Sequence, residues 1–127
     1  MNTNHTVAII EDEYYIRETF KQAFEWEGYN VQCYANGSEA LTHLKDAPRP
    51  DVILLDLMMP IMNGPEFLEA RKKKLPELAD VPVVVVSAIA DHVVQDRDVK
   101  AYITKPIELD RLFAIVAKYC EHIPRAA

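Results

Sequence analysis

The side chains in this sequence that could carry out chemistry each follow a short apolar run. They are three carboxylates, one hydroxyl and one amine, namely Glu11, Asp12, Asp56, Ser87 and Lys105. Several carboxylates without histidine or cysteine favour a hard cation, and few ligands with room for water favour Mg²⁺ over Ca²⁺ or Zn²⁺. A lysine ammonium and a serine hydroxyl are suited to hold phosphoryl oxygens. The set therefore predicts phosphoryl chemistry assisted by Mg²⁺.

Asp56 is the best candidate for a nucleophile in this set. It ends the apolar run Val52–Leu55, and so uniform a run indicates a strand buried on both faces. A carboxylate at the end of a buried strand is costly to desolvate unless it is paired or binds a cation. Such a carboxylate can also attack phosphorus and form an acyl phosphate.

Apolar runs and helical periodicity predict five strands that alternate with five helices. The predicted strands are Val7–Ile10, Tyr29–Tyr34, Val52–Asp56, Val81–Val86 and Ala101–Thr104. The first helix ends at Gly28, the second contains Ala40, Leu41 and Leu44, the third starts at Gly64–Pro65, the fourth is a short helix within Asp91–Lys100, and the last contains Leu109, Leu112, Phe113, Val116 and Tyr119.

This alternation predicts a single α/β domain over residues 1–127, with a core of about 6–121. Its sheet is expected to be parallel and doubly wound, with helices on both faces. The carboxyl ends of parallel strands share one edge, where open α/β sheets keep their reactive groups. The five candidate side chains would then meet at that edge.

Three of the five candidates also have an ordinary structural explanation when each is taken alone, whereas Asp56 is harder to explain in this way. Asp12 could cap the first helix, Ser87 could cap or end its neighbouring element, and Lys105 could be a solvated loop residue before Pro106. Three independent explanations do not predict that the side chains converge. The functional interpretation is therefore favoured for the set as a whole.

Composition and charge exclude several other classes of function. The 127-residue chain has a net charge of -6, so its overall field does not attract a polyanion. The basic run Arg71–Lys74 lies where a helix should end, and cations there complement the helix dipole.

Cys33 and Cys120 lack metal-ligand or disulfide-scaffold spacing and are expected to be free thiols in a reducing compartment. No signal peptide or membrane span is evident, so a cytoplasmic location is expected.

Four segments, in this order and at this spacing, resemble the receiver domain of two-component response regulators. The segments are Ile9–Glu13, Leu54–Pro60 with Gly64, Val86–Ala88 and Tyr102–Pro106. The resemblance covers nearly the whole chain. Each segment alone would be a weak signal, but the four together are highly specific.

The resemblance implies a flavodoxin-like sheet with strand order 2-1-3-4-5, for which receivers are one of the known examples. Asp56 would accept a phosphoryl group from a phosphohistidine on a histidine kinase or histidine phosphotransfer protein. Mg²⁺ would be bound by Asp12, Asp56 and the backbone carbonyl of Met58, with Glu11 helping directly or through water. The chain would act in a two-component system or phosphorelay, and its only catalysis would be its own phosphorylation and dephosphorylation.

The resemblance also implies a conformational switch. Ser87 and Lys105 would contact the phosphoryl group, and Tyr102 would be the aromatic that changes rotamer as Ser87 moves. The surface of the fourth helix, fifth strand and fifth helix would then report phosphorylation to a downstream protein. No output domain follows in the sequence, so the expected output is a protein contact rather than nucleic acid or membrane binding. The bond between Lys105 and Pro106 is often cis in this family.

Two departures from the family pattern keep alternatives open. Glu11 stands where the family more often has aspartate, and the segment between Ser87 and Lys105 is about one helical turn shorter than usual. A pseudo-receiver that binds partners without phosphorylation is one alternative. An aspartyl-phosphate hydrolase is disfavoured because Met58 stands where such enzymes need a second acid. Flavin binding is disfavoured because the loop after the first strand is acidic.

Overall fold

The computed structural model of the chain describes residues 4–88 and 96–121. Within these ranges the chain forms five β-strands, four α-helices and one short 3-10 helix. The elements are β1 (Thr6–Ile10), α1 (Tyr14–Trp26), β2 (Asn30–Tyr34), α2 (Gly37–Leu44), β3 (Val52–Asp56), α3 (Gly64–Lys74), the 3-10 helix (Pro76–Leu78), β4 (Val83–Ser87), β5 (Val99–Thr104) and α4 (Leu109–Glu121).

The five strands form one parallel sheet in the order β2-β1-β3-β4-β5. The predicted fold class is therefore confirmed, including the strand order implied by the resemblance. Ile10 of β1 pairs with Leu55 of β3, and Asp56 pairs with Val86 of β4. These pairings align the carboxyl ends of the central strands, because each strand ends within a residue or two of its neighbour.

The uniform apolar runs arise because the central strands are covered on both faces. In β1, Ala8 and Ile10 join a core cluster with residues of α2 and α3, whereas Val7 and Ile9 join a cluster with residues of α1 and α4. The helix residues packed on the first face are Ala40, Leu41, Leu44, Phe67 and Leu68, and those on the second are Phe20, Phe24, Leu112 and Val116. All five residues of β1, β3 and β4 are buried.

The helix ends follow local sequence signals. Gly28 directly after α1 has a φ of 95°, the left-handed conformation that the predicted glycine cap requires. Asn63 and Glu66 form a reciprocal capping box at the start of α3, which fixes the helix that follows Asp56. No helix in the described part of the chain is long and apolar enough to cross a membrane.

The predicted helix within Asp91–Lys100 is wrong where the structure describes it. Val99 and Lys100 belong to β5, which starts two residues before the predicted Ala101, and a turn precedes them. Val99 pairs with Val83 and packs against the core, which favours strand over helix at this position. Residues 89–95 lie outside the described residues.

Arg71 is the largest fully buried side chain of the described residues. One terminal nitrogen of its guanidinium group donates to the carbonyl of Val81 at 3.3 Å, and the other lies 3.4 Å from Asp98 and 3.7 Å from Asp96. Lys72 lies 3.1 Å from Asp96 as well. The basic run does end a helix, as predicted, but Arg71 ties that end to the turn before β5.

We expect Arg71→Ala to lower the free energy of unfolding by roughly 3–5 kcal/mol, because it removes a fully buried side chain together with the cation paired with Asp98 and the donor to the Val81 carbonyl. Chemical denaturation followed by circular dichroism measures the change. Lys73→Ala is the matched control, since Lys73 is exposed on the same helix turn. Equal, small effects of the two substitutions would contradict a structural role for the buried ion cluster.

Candidate functional site

Three carboxylates converge where β1 and β3 end. Glu11, Asp12 and Asp56 each place an oxygen within 4.8 Å of the others. Glu11 and Asp56 are buried, whereas Asp12 is half-buried. The predicted convergence of the acidic residues at the carboxyl edge of the sheet is therefore present in the structure.

The loop after β1 is held by its own backbone and by α1. Glu11 accepts a hydrogen bond from the backbone N–H of Glu13 at 3.1 Å. Arg17 of α1 donates to the carbonyl oxygens of Glu11 at 2.8 Å and Asp12 at 3.3 Å. Glu13 occupies the N-cap position of α1, and no side chain caps it. The structure therefore contradicts the alternative interpretation, in which Asp12 caps this helix.

Lys105 reaches into the acidic cluster from the end of β5. Its Nζ lies 2.7 Å from Glu11 Oε1 and 3.7 Å from Asp56 Oδ2. Its backbone N–H donates to the carbonyl of Ser87 at 2.8 Å, and the peptide bond to Pro106 is cis, as the resemblance implied. Burial acts to lower the pKa of Lys105, but the hydrogen bond and charge of Glu11 outweigh it, so the net shift is upward. Lys105 is therefore a fixed positive charge in this site.

Asp56 lies in an environment that disfavours its charged form. The residue is 4% exposed, and its Oδ1 accepts a hydrogen bond from the backbone N–H of Met58 at 3.2 Å. Burial, followed by the negative charge of Glu11, raises the pKa of Asp56 to about 7, against the opposing effects of Lys105 and the Met58 N–H. Added positive charge next to this carboxylate would therefore be strongly favoured.

Gly64 allows the chain to turn back tightly behind Asp56. Its backbone N–H donates to the carbonyl of Leu57 at 3.0 Å. A Cβ atom at this position would lie 2.7 Å from Leu57 Cδ2 and 2.8 Å from the backbone Cα of Leu57. Since real Cβ atoms essentially never come this close to such neighbours, a larger residue would displace the loop that follows the carboxylate. The requirement for glycine here is steric.

The two predicted switch residues occupy different environments. Ser87 is buried at the end of β4, directly after Val86, which pairs with Asp56. Tyr102 lies on β5 and is 40% exposed. The structure therefore places Ser87 at the same sheet edge as the acidic cluster, and Tyr102 on a partly exposed strand two residues before that edge.

Arg17 is a residue that sequence reasoning missed. It holds the backbone on which Glu11 and Asp12 stand, through the two hydrogen bonds described above. A basic residue one turn inside the helix after an acidic loop is a signal that could have indicated it. The interaction is with carbonyl oxygens, however, and no side-chain spacing in the sequence specifies those.

The acidic cluster fits a divalent cation. Its donors are carboxylate oxygens from three residues, and one of them remains half-open to solvent. Mg²⁺ prefers such oxygen ligands and retains several waters. A cation would also offset the repulsion that raises the pKa of Asp56. Glu11, Asp12 and Asp56 are thus suited to hold Mg²⁺.

The doubly wound fold with an acidic cluster at its carboxyl edge matches a known class. The chain matches the family described as the response regulator receiver domain over residues 7–117. This protein therefore belongs to the response regulator receiver domain family.

Similar proteins support the same assignment. The chain is 32% identical over 118 residues to sporulation initiation phosphotransferase F of Bacillus subtilis, covering 91% of this chain and 94% of that protein. The signal receiver domain of a signal transduction histidine kinase from Syntrophus aciditrophicus superposes with a TM-score of 0.81 at 28% identity, covering 97% of this chain and 95% of that one.

A further solved structure is the response regulator TrrA of Thermotoga maritima in complex with Mg²⁺-BeF. It has a TM-score of 0.76 at 28% identity, covering 91% of this chain and 98% of that one. Three other curated relatives are longer, and the chain spans 56%, 26% and 54% of their lengths.

We expect Asp56→Asn to stabilise the metal-free protein at pH 8 by about 1–2 kcal/mol, since one pKa unit corresponds to about 1.4 kcal/mol and Lys105 loses a partner. The folded-state pKa of about 7 lies above the ordinary value of 3.8, so folding is penalised while Asp56 is charged. The advantage of the variant should therefore shrink as pH falls from 7 towards 4.

Chemical denaturation with a chelator at pH 8, 6 and 4.5 measures this difference. Asp46→Asn is the matched control, because Asp46 is exposed on the surface. A variant that is less stable than the parent at pH 8, or a difference that does not vary with pH, would contradict the electrostatic description of the site.

Proposed function

We propose that this protein is a phosphoacceptor signalling switch of a two-component or phosphorelay system. The observation that carries the proposal is the cluster of Glu11, Asp12 and Asp56 with Lys105 in contact at one edge of the sheet. Membership of the receiver domain family supports the same function. Family members are regulators rather than conventional enzymes.

Asp56 is the proposed phosphoacceptor. One of its carboxylate oxygens attacks the phosphorus of a phosphohistidine, a P–O bond forms, and the P–N bond to the imidazole breaks. The donor histidine recovers the electron pair, and Asp56 becomes an acyl phosphate. The buried position of Asp56 at a strand end, fixed by the Met58 N–H, supports its assignment as the attacking group.

Asp12, Asp56 and the backbone carbonyl of Met58 are the proposed Mg²⁺ ligands, with Glu11 contributing directly or through water. Bound Mg²⁺ supplies positive charge that offsets the negative charge gathered at the acidic cluster and on phosphoryl oxygens. Lys105 is the residue proposed to neutralise further phosphoryl charge, and its fixed positive charge within reach of Asp56 supports this role.

Ser87 and Tyr102 are the proposed switch residues. The Ser87 hydroxyl would donate to a phosphoryl oxygen, and Tyr102 would change rotamer as Ser87 moves towards the phosphoryl group. A downstream protein would then recognise the altered surface around β5, α4 and the segment between β4 and β5. The burial of Ser87 next to the strand position opposite Asp56 supports its role.

The proposed donor is a histidine kinase or a histidine phosphotransfer protein. We further propose that residues 1–127 form one receiver domain with a core of about 6–121, that it acts in the cytoplasm, and that it signals by protein contact. The extent of the family match over residues 7–117 supports these bounds. The alternative is a pseudo-receiver that binds its partners without phosphorylation, which the glutamate at position 11 keeps open.

We expect incubation with Mg²⁺ and acetyl phosphate to add one phosphoryl group, as measured by mass spectrometry of the intact protein. The modification should be labile to base, as acyl phosphates are, and should depend on Mg²⁺. Asp56→Asn should abolish it, because the attacking oxygen is lost, whereas the surface control Asp46→Asn should leave it intact.

Failure of the parent protein to gain mass, with Mg²⁺ present and with acetyl phosphate or phosphoramidate as donor, would favour the pseudo-receiver. Continued turnover of phosphate esters, rather than one stoichiometric modification, would indicate an aspartyl-phosphate hydrolase. A stable phosphoryl group that survives in Asp56→Asn would overturn the assignment of the phosphoacceptor.

A further inference from the structure

The carboxylate of Glu11 lies closer to the Lys105 ammonium group than the carboxylate of Asp56 does. Its Oε1 lies 2.7 Å from Lys105 Nζ, whereas Asp56 Oδ2 lies 3.7 Å from the same nitrogen. Resting on the function proposed above, we propose that Glu11 is a positioning residue that holds the Lys105 ammonium away from Asp56 and thereby slows phosphoryl transfer to it.

The glutamate, rather than the lysine, determines where this ion pair forms. The second oxygen of Glu11 accepts the backbone N–H of Glu13, and Arg17 fixes the carbonyl of Glu11 itself. Glu11 is therefore held at both its side chain and its backbone. Lys105 reaches the pair with a flexible four-carbon chain, so its ammonium goes to the carboxylate that is already in place.

The surroundings make this pair stronger than one on the surface. The side chain of Glu11 is 2% exposed and that of Lys105 is 18% exposed, so water screens the pair weakly. A hydrogen bond between two charged groups at this distance is among the strong ones. The ammonium is thus shared unequally between two carboxylates, and the buried glutamate has the larger share.

Phosphoryl transfer needs the ammonium in a different place. Charge on a phosphoryl group at Asp56 draws Lys105 towards that residue, and the pair with Glu11 has to loosen for this to occur. Breaking the pair with Glu11 costs free energy. This cost reduces the stabilisation that Lys105 gives to the transition state of the transfer. An aspartate at position 11 would be shorter by one methylene, so it would keep the charge but withdraw it from Lys105.

The test compares the parent protein with Glu11→Asp, Glu11→Gln and the control Glu69→Asp, which shortens an exposed glutamate on α3. The rate of phosphorylation by acetyl phosphate is measured at saturating Mg²⁺ for each protein, after titration calorimetry has given the Mg²⁺ affinity. The NMR signal of the Lys105 ammonium group is recorded without donor, once without Mg²⁺ and once at the Mg²⁺ concentration of the rate measurement, so that it reports the ion pair in the state whose rate is measured.

We expect Glu11→Asp to raise the rate about tenfold, the ratio at the lower end of what loss of a hydrogen bond between charged groups would give. Glu11→Gln should raise it as well, although its Mg²⁺ affinity should fall because a negative charge is missing. The Lys105 signal should shift in both variants. Glu69→Asp should change neither the rate nor the signal.

Two other results overturn the proposal. Unchanged or slower rates in both variants at saturating Mg²⁺ would show that Glu11 serves the metal alone. Faster rates with an unshifted Lys105 signal would place the effect elsewhere. A parent protein that is not phosphorylated at all would refute the proposed function instead, while the Lys105 signal would still report whether the ion pair exists.

Discussion

The crowding of three carboxylates at the end of a buried sheet is the constraint on which the rest of this structure depends. Burial, followed by the negative charge of Glu11, raises the pKa of Asp56. One ammonium group, that of Lys105, offsets part of this effect. The site therefore favours the arrival of positive charge, and the phosphoryl group proposed at Asp56 would need a cation to offset its own negative charge.

The fold maintains this unfavourable arrangement through packing on both faces of the sheet and through contacts in the loops after β1 and β3. The central strands are buried on both faces by two apolar clusters, so their ends have little freedom to separate. Arg17 fixes the loop after β1, and the close approach of Gly64 fixes the loop after β3. Stability supplied by packing thus offsets electrostatic strain at the functional edge, as is common at sites built for chemistry.

Sequence reasoning predicted the fold class and the residues at the functional edge because strand runs and their terminal acids are local features. Partners that are far apart in the chain were not predictable in this way. Arg71 was explained by the helix dipole, but its partner Asp98 is 27 residues away, and no local pattern encodes that pair. The helix predicted within Asp91–Lys100 rested on weak periodicity, and the pairing of Val99 with β4 overrides it where the structure describes the segment. The switch roles proposed for Ser87 and Tyr102 would depend on motion, which neither periodicity nor spacing reports.

Binding of a divalent cation by the acidic cluster is the proposed basis for phosphoryl chemistry at Asp56. The most direct measurement is an NMR titration of the backbone amides with Mg²⁺, repeated with Asp12→Asn. The account predicts saturable shifts at one site, centred on residues 11–13 and 56–58, which weaken strongly in the variant. Amide signals that do not move with Mg²⁺, or that move equally in both proteins, would contradict it.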